Sequence, residues 1–248
     1  MTVLKPFKRT ARPDADGKYS DYGRYVKHPQ YAAEPAHYVR AFQILQKDLL
    51  ELFDYVEPAD KNKECYSYRI HELHTRACIE VEANCKAILA ENNYAKGRGY
   101  WDMSDYRKLD RTHHLSSFQV RLPIWRGGDN PRRPFDGWKV DRALTWYQAY
   151  NGAKHSRHEN FDQSNFRNML DAMCGLVAIL ASQFVTIDFG PEGYVADSSP
   201  VEGYEIAIAG YFEIKFPDDW SADERYSFDW HQISARDQNP FQILTFNA

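Results

Sequence analysis

The stretch MCGLVAILASQFV, residues 173–185, decides how the rest of the chain is read. It is the longest apolar run, yet shorter than the roughly 20 apolar residues a membrane-spanning helix takes. Upstream of it Phe166, Met169, Leu170 and Met173 recur at steps of three and four, and Leu176, Val177 and Leu180 continue the pattern. That spacing lines one helical face. The sequence therefore predicts a buried core helix over about 162–186, and a core helix needs other apolar stripes to pack on it.

Three stretches supply them. EPAHYVRAFQILQKDLLELFDYV (34–56) carries Tyr38, Phe42, Leu45, Leu49, Leu52 and Phe53 in helical register, with Pro35 suited to a first turn. It predicts a helix over 35–56. CYSYRIHELHTRACIEVEANCKAILAENN (65–93) predicts a helix over 66–92, with Ser67 as N-cap and Ile70, Leu73, Ala77, Val81, Ile88 and Leu89 inward. GWKVDRALTWYQAY predicts a third helix over 137–150, which Asn151 and Gly152 punctuate. Between them, MSDYRKLDRTHHL suits a short helix capped by Ser104, and SSFQVRLPIW alternates like a strand. The β formers of YEIAIAGYFEIKF (204–216) and FQILTF (241–246) predict strands. The expected fold class is mainly α, a helical bundle with a β-rich C-terminal extension. The expected division is an extended N-terminal arm at 1–34, a helical domain at 35–190 and an acidic β-rich extension at 191–248.

With 248 residues, 43% of them hydrophobic, the chain can bury a sizeable core and does not read as disordered. Cys65, Cys78, Cys85 and Cys174 form no CxxC pair and read as reduced core thiols. MTVLKPFKRTARPDADGKYS has no apolar leader segment. A cytoplasmic location without membrane contact is the expectation. The net charge of −4 is uneven. Residues 187–248 carry three Lys/Arg against twelve acids, whereas 96–142 carry eleven against six. A basic middle can face phosphates, and an acidic tail can cover it.

Three features compete as sites. In RIHELH, His71 and His74 stand three apart on one helix face; with a carboxylate they would make a metal-dependent hydrolase. The spacing is not HExxH and no third ligand is evident, so neither a metal nor another cofactor is expected. Next on the same helix come Glu72, Arg76 and Glu80, then Glu82 and Lys86, each pair four apart and able to form a helix salt bridge. Arg76 and Glu80 are flanked by apolar residues and suit a cleft between helices. The third feature is YNGAKHSRHENF (150–161). His155 can move protons near neutral pH, Arg157 and Lys154 can hold a phosphate, and Asn151 can orient a ribose or backbone. RNA cleavage through its 2′-hydroxyl needs these groups and no metal. The plain alternative is a polar turn between helices in a non-catalytic interaction module. A catalytic His155 must be reachable by solvent with cations near it; a structural one must be buried and hydrogen-bonded.

Taken together, YSYRIHELHTRACIEVEANCKAIL and WYQAYNGAKHSRHENFDQSNFRNMLDAMCGLVAIL resemble the HEPN superfamily (higher eukaryotes and prokaryotes nucleotide-binding). Asn151 and His155 match the Asn and His of its motif, while Tyr150 stands where the motif has Arg. The resemblance implies a helical bundle that binds RNA or nucleotides. It also implies a bacterial or phage-defence setting, metal-independent ribonuclease activity in many members, and a homodimer bringing two motifs into one cleft. In that reading His155, Asn151 and Arg157 carry catalysis, and Lys154, Arg76 and Glu80 bind substrate.

Overall fold

The computed structural model describes residues 3–96, 99–190 and 202–246. The chain is mainly α. It runs α1 (Tyr22–Tyr25), α2 (Pro35–Phe53), α3 (Tyr68–Glu91), α4 (Met103–Tyr106), α5 (Asp110–His113), β1 (Gln119–Arg121), α6 (Thr145–His155) and α7 (Arg157–Asn160). It continues through α8 (Phe166–Phe184), β2 (Glu205–Ile206), β3 (Glu213–Lys215) and α9 (Trp230–Arg236). Among the described residues no helix is long and apolar enough to cross a membrane.

The long helices begin where their caps dictate. Pro35 occupies the first turn of α2, where its missing N–H costs nothing. Ser67 accepts from the Ile70 N–H at the head of α3, and Asn165 does the same for Asn168 at the head of α8. From Asn168 to Phe184 all but Asp171 of α8 is buried. It lies against α3, α6, α2 and β1, so the apolar run of 173–185 is the centre of the core. Gly175 permits a close approach of α6: a Cβ there would sit 3.3 Å from Cζ2 of Trp146.

Several elements differ from expectation, among them the core helix itself, which starts at Phe166 and not near 162. The stretch 137–150 is not one helix. Asp136–Val140 forms a 3-10 segment, Asp141 turns left-handed at φ 56°, and α6 starts only at Thr145. Nor do Asn151 and Gly152 end α6, because Tyr150 and Ala153 continue its buried face and the Ser156 N–H closes the last turn onto Gly152 O at 2.9 Å. The short helix α4 is capped by Asp102, in a reciprocal box with Asp105, and not by Ser104.

The expected β-rich stretch yields a small antiparallel sheet in the order β1-β3-β2, with Val120 opposite Ile214. FQILTF forms no strand; Gln242 bridges in parallel to Phe7 of the N-terminal arm. The arm, the helices and the segment after residue 202 share one hydrophobic cluster, from Tyr25 and Tyr31 through Leu176 to Phe212, Trp230 and Phe246. Cys78, Cys85 and Cys174 are buried within it, as expected of core thiols, but Cys65 is exposed.

Within the arm Arg9 is fully buried. Its guanidinium donates to Glu91, to Gln183 Oε1 at 2.8 Å and to Ala33 O at 2.7 Å, and it lies 4.6 Å from the Tyr38 ring. Removing one partner of a buried charge network costs about 3–5 kcal/mol, because the other is left unpaired. Arg9→Ala is therefore expected to lose about that much stability in urea denaturation. Arg9→Lys should recover only part of it, since a lysine cannot present the planar fork.

Candidate functional site

The surface around 150–161 is built by three elements. Trp146, Tyr147, Ala149, Tyr150 and Ala153 form the buried stripe of α6. Trp146 Nε1–H donates to Pro134 O at 2.8 Å, and Tyr147 O–H to Glu82 at 2.9 Å. That docking leaves Asn151 half-buried and turns Lys154 and His155 outward on the last turn, where positive charge complements the helix dipole. The single turn of α7 then exposes Arg157 and His158. Phe161 follows, and onto its ring fold Tyr66 and Tyr68, from the entrance of α3, and His71. The Tyr68 and Phe161 centroids lie 4.8 Å apart, yet Tyr68 is 70% exposed and Tyr66 55%. Partial burial and then the neighbouring Arg157 charge hold the His71 imidazole below its ordinary pKa.

Most expected site residues converge here. His155 is exposed, and its side chain has no hydrogen-bond partner among the described residues. Lys154 extends over the Tyr150 ring at 5.3 Å. Tyr150 itself is buried against Tyr147 and His74, a packed ring at the position before Asn151.

Arg76 and Glu80 do not join them. Arg76 pairs with Asp48 of α2, and the half-buried Glu80 feels His37 of α2. Burial raises the Glu80 carboxyl above the ordinary range, against the pull of His37 and Arg76. Glu82, which meets α6, sits on another face of α3. Of the expected charge ladder only Glu82–Lys86 forms, at 3.2 Å, while Glu72 pairs with Arg69 at 3.4 Å. The α3 face bearing Arg76 therefore belongs to the seam with α2, not to a cleft around His155.

The histidine pair separates as well. His74 is fully buried, and its Nε2–H donates to Trp146 O at 3.0 Å while Nδ1 accepts from the Ser164 hydroxyl at 2.7 Å. With both nitrogens engaged it has none left for a metal. Among the described residues no group of three His, Cys, Asp or Glu could hold one.

The basic middle is largely spoken for. Lys96 meets Asp102 and Asp105, Arg107 meets Asp141, Arg126 meets Glu57, and Arg132 meets Asp171. The acidic C-terminal segment supplies Glu202 and Glu213 to Arg121, and Asp219 to Lys139 and His114. By contrast Lys154 and Arg157 have no carboxylate partner among the described residues. Sequence reasoning missed Tyr66, Tyr68 and Phe161. Their signal was three aromatics in polar surroundings flanking a helix start, outside any apolar stripe.

Comparison with protein-family models, curated proteins and solved structures found no match to this chain.

Burial, the largest influence, holds the His74 imidazole down to about 4. An unfolded histidine takes up its proton near pH 6.5, so below that pH the unfolded state binds more protons. The His74 contribution is complete above about pH 6.5 and is lost as pH falls toward about 4, by about 3 kcal/mol. Urea midpoints across that window should fall more steeply for the wild type than for His74→Gln, which is less stable at neutral pH but cannot titrate there.

Proposed function

We propose that this is a HEPN-like helical protein that binds single-stranded RNA or its nucleotides on the α6–α7 surface. The observation that carries the reading is the meeting of unpaired cations with exposed rings. Lys154, His155, Arg157 and His158 are exposed on the segment that leads into Phe161, onto whose ring the exposed Tyr66 and Tyr68 pack. Arg157 lies close enough to His71, on the same ring, for its charge to be felt. Phosphates need cations and unstacked bases need flat aromatic faces, which is how single strands are bound without base-specific contacts. The exposure of His155 supports a role toward a ligand over a structural one. Tyr150 in the motif arginine's place favours binding without cleavage. A homodimer, with two such surfaces in one cleft, is part of the same reading; sedimentation should then give twice the 29.0 kDa of one chain.

Binding of a labelled single-stranded RNA, followed by fluorescence anisotropy, tests it. A base–aromatic stack is worth about 1–3 kcal/mol, so Tyr68→Ala should weaken binding by roughly five- to a hundredfold. Arg157→Ala should weaken it and lower the salt slope by about 0.7. Arg126→Ala should leave it unchanged, because that guanidinium is engaged by Glu57 at 3.0 Å. Equal losses for Arg126→Ala and Arg157→Ala would reduce the effect to general charge. In EDTA the bound RNA should stay intact. Cleavage by the wild type, abolished in a folded His155→Ala, would instead make His155 a catalytic residue.

A further inference from the structure

A cavity that shares no residue with this surface is bounded by α1, α2, the chain after α8 and the β2–β3 hairpin. Its volume is about 1070 Å³, at the upper end of the range for small-molecule sites. Ile187, Phe189 and Ile206 give it apolar walls. Among its polar groups are an amide oxygen without a donor and carboxylates without an ion pair. Gln46 is 8% exposed; its Nε2–H donates to Ala209 O at 2.9 Å, while its Oε1 is buried without a partner. The bond to Ala209 fixes the amide's orientation, so the orphan is an acceptor. Glu205 is half-buried, and no cation forms an ion pair with it among the described residues. Residues 191–201 contain no Lys, Arg or His that could do so. Asp188 accepts from the Gly190 N–H at 3.0 Å but also lacks an ion pair among the described residues. Lys27 is the single cation in the lining.

We infer that this cleft binds a small organic cation, an ammonium or guanidinium carried on an apolar body, with Glu205 as its counter-ion and Gln46 Oε1 as a second acceptor. The charge answers the unpaired carboxylates, the N–H groups answer the orphan amide oxygen, and the apolar body covers the walls. The inference does not rest on the RNA reading, whose surface shares no residue with the cleft.

Isothermal titration of the full chain with phenethylamine, agmatine and spermidine tests it, with 2-phenylethanol as the uncharged counterpart of the first. At least one of the cations should bind saturably at millimolar concentration or below, and 2-phenylethanol should not. A charge-assisted contact implies a loss of about tenfold or more for Glu205→Gln. Gln46→Leu should also weaken the cation. Thermal melting checks that both variants fold; Glu205→Gln, which removes a half-buried charge without a partner, should melt no lower than the wild type. Failure of all three cations to bind overturns the inference. So does equal binding of 2-phenylethanol, or undiminished binding to a folded Glu205→Gln.

Discussion

A positive charge sealed from water holds the N-terminal arm of this molecule to its middle. The Arg9 guanidinium is worth its desolvation only because each side of the fork is met: Glu91 at the end of α3, Gln183 at the end of α8 and the Ala33 carbonyl before α2. The network continues inward. Gln183 Nε2–H donates to Asn84 Oδ1 at 2.9 Å, so the arm is coupled through α8 to the middle of α3. Even the Arg9 backbone is enlisted. It is left-handed at φ 52°, a costly conformation for an arginine, and is held there by the Tyr31 carbonyl on one side and His113 Nε2 on the other. Were the arm displaced, three helix ends would face one another with their polar groups unmatched.

The same accounting sorts the charges elsewhere. Where a cation meets a carboxylate, as Arg121 and Arg132 do, it is structural, and a stretch that is basic in sequence is nearly neutral in space. Where the chain leaves cations unmatched beside exposed rings, at α6–α7, or carboxylates unmatched in a cavity, beside Gln46, the missing partner is not supplied by the described protein. Local charge balance, more than local charge, separates the scaffold from the two surfaces on which function is proposed.

Much of the helical frame was legible because periodicity is a local property. The stripes of α2, α3 and α8 and the caps Pro35 and Ser67 stand where spacing placed them. Asn151–Gly152 misled, since a glycine marks a helix end only when the buried face stops there, and Ala153 carries it on. The grouping of Lys154, His155 and Arg157 was readable from adjacency. The separation of Arg76 from His155 was not, because it depends on which neighbour each face of α3 meets. Arg9 offered no signal at all. Its partners lie 24, 82 and 174 residues away, and nothing in KRTARP distinguishes an anchor from a solvated basic tail. Glu205 and Gln46 escaped for the same reason.

The N-terminal arm runs alongside chain that is made more than 200 residues later. Val3 and Asp14 bridge to Tyr226, Phe7 bridges to Gln242, and the Leu244 N–H reaches Asn92 at the end of α3. On a ribosome the arm emerges well ahead of residues 226–246, which must follow before its pairing is complete. Throughout synthesis α2, α3 and α8 would carry apolar faces that their final neighbours cannot yet cover. Such long-range closure slows folding and leaves a nascent intermediate open to aggregation. The late-arriving residues therefore act as a clasp, and a chain stalled before them would be a natural client for chaperones.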